Sequence, residues 1–426
     1  MQVELNYHRG TLPVTVAPDW RATVVRKPAM PILPDPSAAV AQALTQPVGA
    51  PPLADLAGTA RRACILICDI TRPVPNGTIL PVIVRTLLDA GMAADAITVL
   101  VATGLHRPNE GEELRELVGD DWVLETVNVV NHFARDDDDH VHVGTTSRGN
   151  VVALDKRLIE ADLRIATGLV EPHFMAGFSG GRKVIAPGVA HAETITTFHS
   201  ARYMEDPNAV NCVLDDNPLH EDQLEIIAMI GGALAVNTVI DEHRRMSFVN
   251  YGEIVASHLK AVAFTQPDTQ VPVKERFPTV VTSAAGYPLD KTYYQTVKGM
   301  IGPLDILAKG GNLIIASACS EGLGSPAFAA SQRRLIEIGP ERFLDSLLEK
   351  RHAAVDEWQT EMQLKPMRAG GVHLYSDGLS DDDRALTGVA MTDSVEQAIA
   401  KSVAESGDPR VAFVPEGPYV VPVHRP

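Results

Sequence analysis

Short apolar runs alternate with amphipathic stretches along most of the chain from residue 64 onward. Two stretches, 77–92 and 110–119, repeat apolar residues with helical spacing and are predicted as helices. The apolar runs are bounded by Gly and polar residues, which predicts buried strands at 64–70, 97–104, 122–130 and 163–170. Strands that alternate with helices form βαβ units, so the pattern predicts an α/β fold with mainly parallel sheets.

The same rhythm resumes in the second half, after a polar stretch at 264–277 that contains two prolines. This stretch is the candidate interdomain linker. We therefore expect two α/β domains, residues 1–268 and 269–426, with a cleft between them. Residues 11–60 are rich in Pro and Ala and are predicted as a surface arm with short helices. Beyond the linker, strands are predicted at 279–286, 312–320 and 410–417, and a helix at 290–301.

The composition of the chain argues against several classes of protein. The 426 residues carry a net charge of −17 and have no Lys/Arg-rich run, which argues against nucleic acid or an anionic membrane as a partner. No apolar run approaches the ~18–20 residues of a membrane span, and the N-terminal residues do not resemble a signal peptide. The four cysteines form no CxxC pair and suit reduced thiols, so we expect a cytoplasmic protein. The acidic run 136–139 is predicted as a solvated loop.

Candidate chemistry lies where predicted strands end. The segments VATGLHRP (101–108) and IATGLVEPH (165–173) echo one another and deliver His106 and His173. The carboxyl ends of parallel strands line a ligand crevice, so we expect both histidines at one sheet edge. Other predicted strands end in CDITRP and SACSEGLG, which deliver Asp69, Thr71, Arg72 and Glu321.

The densest signal is EPHFMAGFSGGRKVIAPG, residues 171–188. Gly177, Gly180 and Gly181 allow close backbone approach, and their N–H groups could cradle an anion. Arg182 and Lys183 follow directly. The spacing fits neither a P-loop nor a dinucleotide-binding fingerprint, and a plain Gly-rich turn is the alternative.

Downstream, residues 190–204 are predicted as a helix that carries His191 and His199 on roughly one face. His106, His173 and His199 could together form a zinc site, although none of the compact zinc spacings is present.

In the second domain, Tyr294 and Lys298 lie at i, i+4 on the helix at 290–301, with Gln295 adjacent and Lys291 one turn earlier. A hydroxyl, an amide and an ammonium group in one place suit a carboxylate substrate, whereas a solvated helix face is the alternative. Trp358 is more often a core or interface residue than a substrate wall.

These motifs, in this order and at these separations, resemble the lactate racemase family over essentially the whole chain. The segments that carry the resemblance are DITRP, ATGLHRP, EPHFMAGFSGGRKVIAPG, TTFHS and YYQTVKG. The resemblance implies two α/β domains that enclose a nickel-pincer nucleotide, a pyridinium mononucleotide with a thioamide and a thiocarboxylate. Its nickel is bound through two sulfurs and one ring carbon.

The resemblance also implies roles for individual residues. Lys183 would form the thioamide link, His199 would be the protein ligand of nickel, and His106 and His173 would be the acid/base groups. The residues expected to line the cofactor are Asp69, Thr71, Arg72, Gly177, Gly180 and Gly181. The residues expected to bind substrate are Arg72, Tyr294, Gln295, Lys298 and Trp358.

The function expected from this resemblance is racemisation at C2 of a 2-hydroxy acid. A histidine would remove the hydroxyl proton while the cofactor takes the α-hydrogen as hydride, so that a 2-keto acid forms transiently. Lactate is the default substrate and malate the alternative, with Arg107, Arg202 and Lys291 as candidate partners of a second carboxylate. Cofactor maturation enzymes are expected partners, and homo-oligomerisation is left open. The competing classes are a zinc hydrolase, a nicotinamide dehydrogenase and a non-enzymatic nucleotide-binding relative.

Overall fold

The structure is a computed structural model that describes residues 1–241 and 243–426. Its strands are β1 (Gln2–Tyr7), β2 (Gly10–Thr15), β3 (Arg21–Val24), β4 (Ala63–Cys68), β5 (Ile97–Ala102), β6 (Asn128–Asn131), β7 (His140–Thr145), β8 (Val151–Asp155), β9 (Leu163–Leu169), β10 (Pro172–His173), β11 (Gly177–Phe178), β12 (Leu234–Ile240), β13 (Met246–Glu253), β14 (Gln270–Val273), β15 (Phe277–Ser283), β16 (Leu307–Ala316), β17 (Gly371–Tyr375), β18 (Ala390–Thr392), β19 (Arg410–Val414) and β20 (Val421–His424).

Its α-helices are α1 (Pro36–Thr45), α2 (Leu53–Ala57), α3 (Asn76–Asp89), α4 (Gly111–Val118), α5 (Asp121–Thr126), α6 (Lys156–Ile159), α7 (Arg182–Ile185), α8 (Ala192–Phe198), α9 (Ala201–Met204), α10 (Pro218–Met229), α11 (Ile254–Thr269), α12 (Tyr293–Ile301), α13 (Pro326–Ile338), α14 (Pro340–Leu348), α15 (Glu357–Ala369), α16 (Asp381–Ala385) and α17 (Val395–Ser406).

Two compact units divide these elements between them. Unit A comprises residues 29–198 and 207–266, and unit B comprises residues 1–28, 199–206 and 267–426. Unit A contains a six-stranded sheet in the order β13-β12-β9-β4-β5-β6, in which all neighbours are parallel except β12 and β13. Buried residues of β4, β5 and β9 pack against α3, which covers them with Ile79, Ile83, Val84 and Leu87.

Unit B contains a second six-stranded sheet, β18-β17-β16-β15-β19-β3, in which all neighbours are parallel. The predicted fold class, α/β with mainly parallel sheets in two bodies, is confirmed. In both units the sequence signal is the same: fully buried central strands have apolar side chains on both faces.

The division differs from two consecutive domains with a boundary at 268/269. Residues 1–28 belong to unit B because β3 pairs with β19 and the β1–β2 hairpin packs Val3, Leu5 and Val14 against that sheet. Residues 199–206 belong to unit B because Ala201 packs against α13, α14 and α15 and Glu205 pairs with Arg368. Long-range pairings of this kind leave no mark in local composition.

Four local predictions need correction. Residues 121–126 are helical because the Asp120 side chain accepts a hydrogen bond from Val123 N–H and caps the helix. The strand predicted at 122–130 is therefore shorter and begins later, as β6 (Asn128–Asn131). The expected linker at 264–277 is instead the end of α11, then β14, which pairs with β20, and the start of β15. The expected arm contains strands β2 and β3 beside α1 and α2. The predicted helix 190–204 is interrupted at His199 and Ser200. Among the described residues, no helix has the length and apolarity to cross a membrane.

Candidate active site

The ends of β4 and β5 bring a carboxylate and an imidazole together, as the sequence predicts. Asp69 follows β4, and its Oδ2 lies 2.5 Å from His106 Nδ1. Its Oδ1 accepts from Thr71 N–H at 3.2 Å and from Thr71 Oγ1 at 2.5 Å. Burial opposes ionisation of Asp69, but the bonds from His106 and Thr71 and the charge of Arg72 together lower its pKa.

This pairing fixes the proton on one nitrogen of His106. Because the Asp69 carboxylate can only accept, Nδ1 carries the hydrogen and Nε2 keeps its lone pair when the ring is neutral. Asp69 is 5% exposed, whereas the His106 side chain is 59% exposed. A buried carboxylate therefore orients an accessible base.

The surroundings of His106 add a cavity and an ion pair. A cavity of about 860 Å³ is lined by residues that include His106, Phe133 and Arg135. Arg107 also lines it, but its guanidinium binds both oxygens of Glu113, at 2.6 and 2.8 Å. The charge of Arg107 is therefore neutralised locally.

His173 lies in the small β10–β11 hairpin and is 8% exposed, with its ring stacked on Phe174 at a centroid distance of 4.8 Å. Its Nδ1 accepts from Met175 N–H at 3.4 Å and from Ala176 N–H at 3.2 Å. A neutral ring held in this way carries its hydrogen on Nε2. The ring hydrogen of His173 thus lies on Nε2, whereas that of His106 lies on Nδ1.

The glycine-rich turn that follows is closely packed. Gly177 and Gly181 have φ of +74° and +50°, a region that disfavours other residues. A Cβ at Gly177 would lie 2.2 Å from Val213 O, and one at Gly181 would lie 3.0 Å from His258 Cβ. Gly180 has a similar conformation, with Leu169 O 2.8 Å from its Cβ position. Backbone approach to other protein atoms accounts for these glycines, and their predicted role toward a cofactor stays a prediction.

Lys183 lies in the short helix α7, directly after this turn, and is partly buried. Burial, followed by the charge of Arg72, lowers its pKa from 10.5 to about 8, and Arg182 adds to the effect. The lowered pKa raises the fraction of neutral amine near neutral pH. A neutral amine is a nucleophile, as a covalent attachment requires.

In unit B the structure brings together a second group of predicted residues. The His199 ring lies 4.6 Å from the Trp358 ring, between centroids. Trp358 Nε1 donates to Tyr294 Oη at 3.1 Å, and Gln359 Nε2 donates to the Tyr294 carbonyl at 2.8 Å. The start of α15 thereby fixes both His199 and Tyr294.

Helix α12 carries the remaining predicted residues of this group. Its N-cap is Thr292, and Lys298 Nζ donates to Gln295 Oε1 at 2.7 Å. The sequence suggests that Lys291 lies on the same helix face as Lys298. In the structure Lys291 precedes the N-cap residue and is therefore outside the helix. It pairs with Glu321 at 2.6 Å, so that Glu321 and Lys291 neutralise one another.

Sequence reasoning assigned no role to three buried residues next to the turn, namely Arg182, His220 and His258. Arg182 adjoins Lys183 in sequence, but the two histidines are isolated in helices α10 and α11 and have no recognisable spacing. In the part of the chain that the structure describes, no three or more His, Cys, Asp or Glu side chains are grouped to hold a metal.

Comparison with known proteins gives a consistent picture. Family models match residues 7–211, as a lactate racemase N-terminal domain, and residues 274–422, as a lactate racemase C-terminal domain. The chain is 31% identical over 387 residues to lactate racemases from Thermoanaerobacterium thermosaccharolyticum and Lactiplantibacillus plantarum. These alignments cover 90% of this chain and 89% and 90%, respectively, of the two relatives.

Solved structures agree. The lactate racemase apoprotein from Thermoanaerobacterium thermosaccharolyticum matches with a TM-score of 0.91 and 28% identity, covering 99% of this chain and 100% of its own. A crystal structure of a Thermotoga maritima protein matches with a TM-score of 0.68 and 19% identity, covering 92% and 99%, which is a likeness of fold alone. The chain therefore belongs to the lactate racemase family and is an isomerase of the racemase class.

Proposed function

We propose that this protein interconverts the two enantiomers of lactate. The observation that carries the proposal is the His106–Asp69 pair, an accessible imidazole whose Nε2 lone pair is set by a buried carboxylate. Imidazole has an ordinary pKa near neutrality, so a histidine can take and return the hydroxyl proton of a 2-hydroxy acid. The names of the two curated relatives support lactate as the substrate.

The chemistry favours removal of the hydroxyl proton over removal of the α-proton. Loss of the α-hydrogen as H⁺ would leave a carbanion beside a carboxylate. If the hydroxyl proton goes to a base and the α-hydrogen leaves as hydride, the substrate becomes a 2-keto acid. Return of hydride to the opposite face inverts C2. A base is then needed on each face, which is the role proposed for His106 and His173.

The two histidines start from different states in this proposal. His106 accepts at Nε2 directly. His173 meets the substrate oxygen with Nε2–H. Nε2 can take the hydroxyl proton only after the ring hydrogen has moved to Nδ1, which then no longer accepts from the two backbone N–H groups.

The residues present fit the nickel-pincer nucleotide proposed as cofactor. Lys183 offers a partly neutral amine for the thioamide link, and His199 offers an imidazole for nickel, whose other ligands come from the nucleotide. When bound, this group supplies the acceptor and donor of hydride. Maturation enzymes would have to provide the nucleotide. The predicted positions around it are Asp69, Thr71, Arg72, Gly177, Gly180 and Gly181.

The substrate carboxylate is assigned to Arg72 and Lys298, with Tyr294, Gln295 and Trp358 around it. Malate has a second carboxylate, for which Arg107, Arg202 and Lys291 are the candidate partners. Two of these side chains are already paired, since Arg107 binds Glu113 and Lys291 binds Glu321. This supports a monocarboxylate such as lactate over malate.

A chiral assay tests the proposal. Protein produced together with the cofactor maturation enzymes is incubated with D-lactate, L-lactate and each enantiomer of malate. We expect each lactate enantiomer to approach a racemic mixture, with malate turned over far more slowly. His106→Ala and Lys183→Ala protein, prepared identically, serve as controls and should be inactive. Stoichiometric zinc with no turnover of any 2-hydroxy acid would contradict the proposal and favour the hydrolase.

A further inference from the structure

Arg182 is 1% exposed and is among the largest fully buried side chains of the described residues. Its guanidinium donates to two backbone carbonyls, Phe178 O at 3.1 Å and Ala176 O at 3.0 Å. It also donates from Nε to His220 Nδ1 at 2.8 Å, and its Nη1 lies 2.8 Å from His258 Nε2, which in turn lies 2.9 Å from Ser179 O. Three hydrogen bonds and the contact with His258 therefore fix one rigid, planar group.

The environment of this charge is unusual, since no carboxylate among the described residues pairs with Arg182. Burial lowers its pKa to about 9, so it is still protonated at neutral pH. Burial and the charge of Arg182 lower the pKa of His220 to about 3 and that of His258 well below the usual value. Both histidines are therefore neutral, and His220 Nδ1 can accept the bond from the guanidinium. The protein accepts a costly buried cation here, which favours a specific task over a contribution to stability.

The residues that Arg182 holds identify that task. Phe178 and Ala176 belong to the hairpin that carries His173, and Ala176 N–H is one of the two donors to His173 Nδ1. Ala176 is thus bonded through its carbonyl to Arg182 and through its N–H to His173. We propose that Arg182, held by His220 and His258, is a positioning residue that fixes the ring orientation and tautomer of His173.

This inference rests on the proposed function only in the role given to His173, because the geometric effect exists without substrate or cofactor. The proposed role requires the several N–H donors of the Arg182 guanidinium, which lie in one plane. Lysine keeps the charge, yet its single ammonium cannot bind both carbonyls and His220 in the same plane. Arg182→Lys should therefore free the hairpin while it preserves the buried cation.

Arg164 provides a matched control. It lies in unit A, is partly buried, and donates to the carbonyls of Leu158, Ile159 and Ile230, none of which lies in the hairpin. Burial lowers the pKa of Arg164 as well. Arg164→Lys thus removes a comparable fork of donors without touching His173.

The first measurement reads the tautomer by NMR of full-length apoprotein with ¹⁵N-labelled histidine, with His173→Gln used to assign the signals. We expect His173 to show the Nε2–H form in the wild type and in Arg164→Lys. In Arg182→Lys it should become a mixture of tautomers, with His106 unchanged. If Arg182→Lys proves unfolded by circular dichroism, His220→Gln, which removes one acceptor of the fork, replaces it. An unchanged His173 signal in a folded variant would overturn the inference.

The second measurement uses cofactor-loaded enzyme and single-turnover kinetics from each lactate enantiomer. His173→Gln should identify the enantiomer whose half-reaction depends on His173. Arg182→Lys should change the rate of that half-reaction about tenfold, with the other half-reaction within about twofold of wild type and KM little changed. Equal slowing of both would indicate a general structural role and overturn the inference. Full activity in His173→Gln would refute the proposed function instead, while the NMR result would stand by itself.

Discussion

Asp69 determines which nitrogen of His106 carries the hydrogen, and the proposed role of His106 as a base depends on this. Asp69 is ionised despite burial because His106 and Thr71 donate to it, and its two oxygens have separate partners. The folded-state pKa is lowered, so this group stabilises the fold above its unfolded pKa and loses that contribution as the pH falls through the folded value. The same ionisation keeps the hydrogen of His106 on Nδ1.

Asp69→Asn tests this arrangement at nearly constant volume. An amide can present its NH₂ group to Nδ1, which would move the ring hydrogen to Nε2 and remove the base. We expect kcat to fall by ~10²–10⁴, with protein stability at neutral pH reduced only slightly. Turnover in the chiral lactate assay measures this. Asp162→Asn, which alters an exposed carboxylate bonded to Arg61 and Arg62 N–H, is the control. Near wild-type kcat in Asp69→Asn would remove the pair from the mechanism.

Lys183 gives a second prediction at this scale, which concerns pH. The neutral amine fraction rises as the pH increases through about 8, so labelling of Lys183 by an amine reagent should rise with a midpoint near that pH. Peptide mass spectrometry of apoprotein measures it, with Lys183→Arg as the blank. Arg72→Gln removes a cation that lowers this pKa, so the midpoint should shift upward. A midpoint near 10.5 in the wild type would contradict the burial of this amine.

Some residues of the candidate site could be predicted from the sequence, and others could not. His106, Asp69 and Lys183 could be selected because they follow strand-like runs or a glycine-rich turn. The cluster of Arg182, His220 and His258 could not be assembled, because its members come from three helices and meet only through tertiary packing. The sequence also could not show why glycine is required at these positions, because the atoms that the glycines approach, such as Val213 O, are distant in sequence.

At the scale of elements, α15 contains a buried carboxyl group that the proposed reaction does not use. Glu361 is 1% exposed, and its Oε1 has no hydrogen-bond partner among the described residues. Burial, followed by the charge of Glu205, raises its pKa from 4.5 to about 8. It is therefore protonated at neutral pH, one turn after Trp358.

This burial predicts a pH-dependent cost to stability. The folded pKa is above the unfolded one, so the free energy of unfolding should fall as the pH rises from about 4.5 to about 8 and then level off. Glu361→Gln removes this loss and should stabilise the protein near pH 8 by up to several kcal/mol, at about 1.4 kcal/mol per pKa unit. Urea unfolding at pH 5, 6.5 and 8 measures it. Glu337→Gln, on an exposed face of α13, should show no such trend. If the stability difference between Glu361→Gln and wild type were no larger at pH 8 than at pH 5, the raised pKa of Glu361 would be refuted.

Elements were predictable where one physical signal dominated. A central strand such as β4 is apolar throughout because both of its faces are buried. Residues 121–126 were misassigned because apolar content outweighed the Asp120 cap, a one-residue signal. Residues 264–273 were misassigned because their polarity suggested a linker, whereas the pairing of β14 with β20 joins segments about 150 residues apart in sequence.

At the scale of the whole molecule, the sequence indicated two α/β bodies but not how the chain is shared between them. Unit B takes residues 1–28 and 199–206 as well as the C-terminal half, so the chain passes repeatedly between units. Membership of the lactate racemase family, by contrast, could be recognised from motifs alone.

The mechanism as a whole is tested by the fate of the α-hydrogen. Racemisation of α-deuterated lactate in ordinary water should retain most of the label in both enantiomers, because a hydride is returned without exchange with solvent. Mass spectrometry of the separated enantiomers measures the label, and quenched samples should contain a trace of the 2-keto acid. Arg72→Ala and Lys298→Ala should lower turnover without loss of label, since each removes a charge-assisted bond worth about 1.5–3 kcal/mol. Rapid wash-out of deuterium in the wild type would instead indicate removal of the α-proton, and His106 would then have to act on carbon rather than on the hydroxyl group.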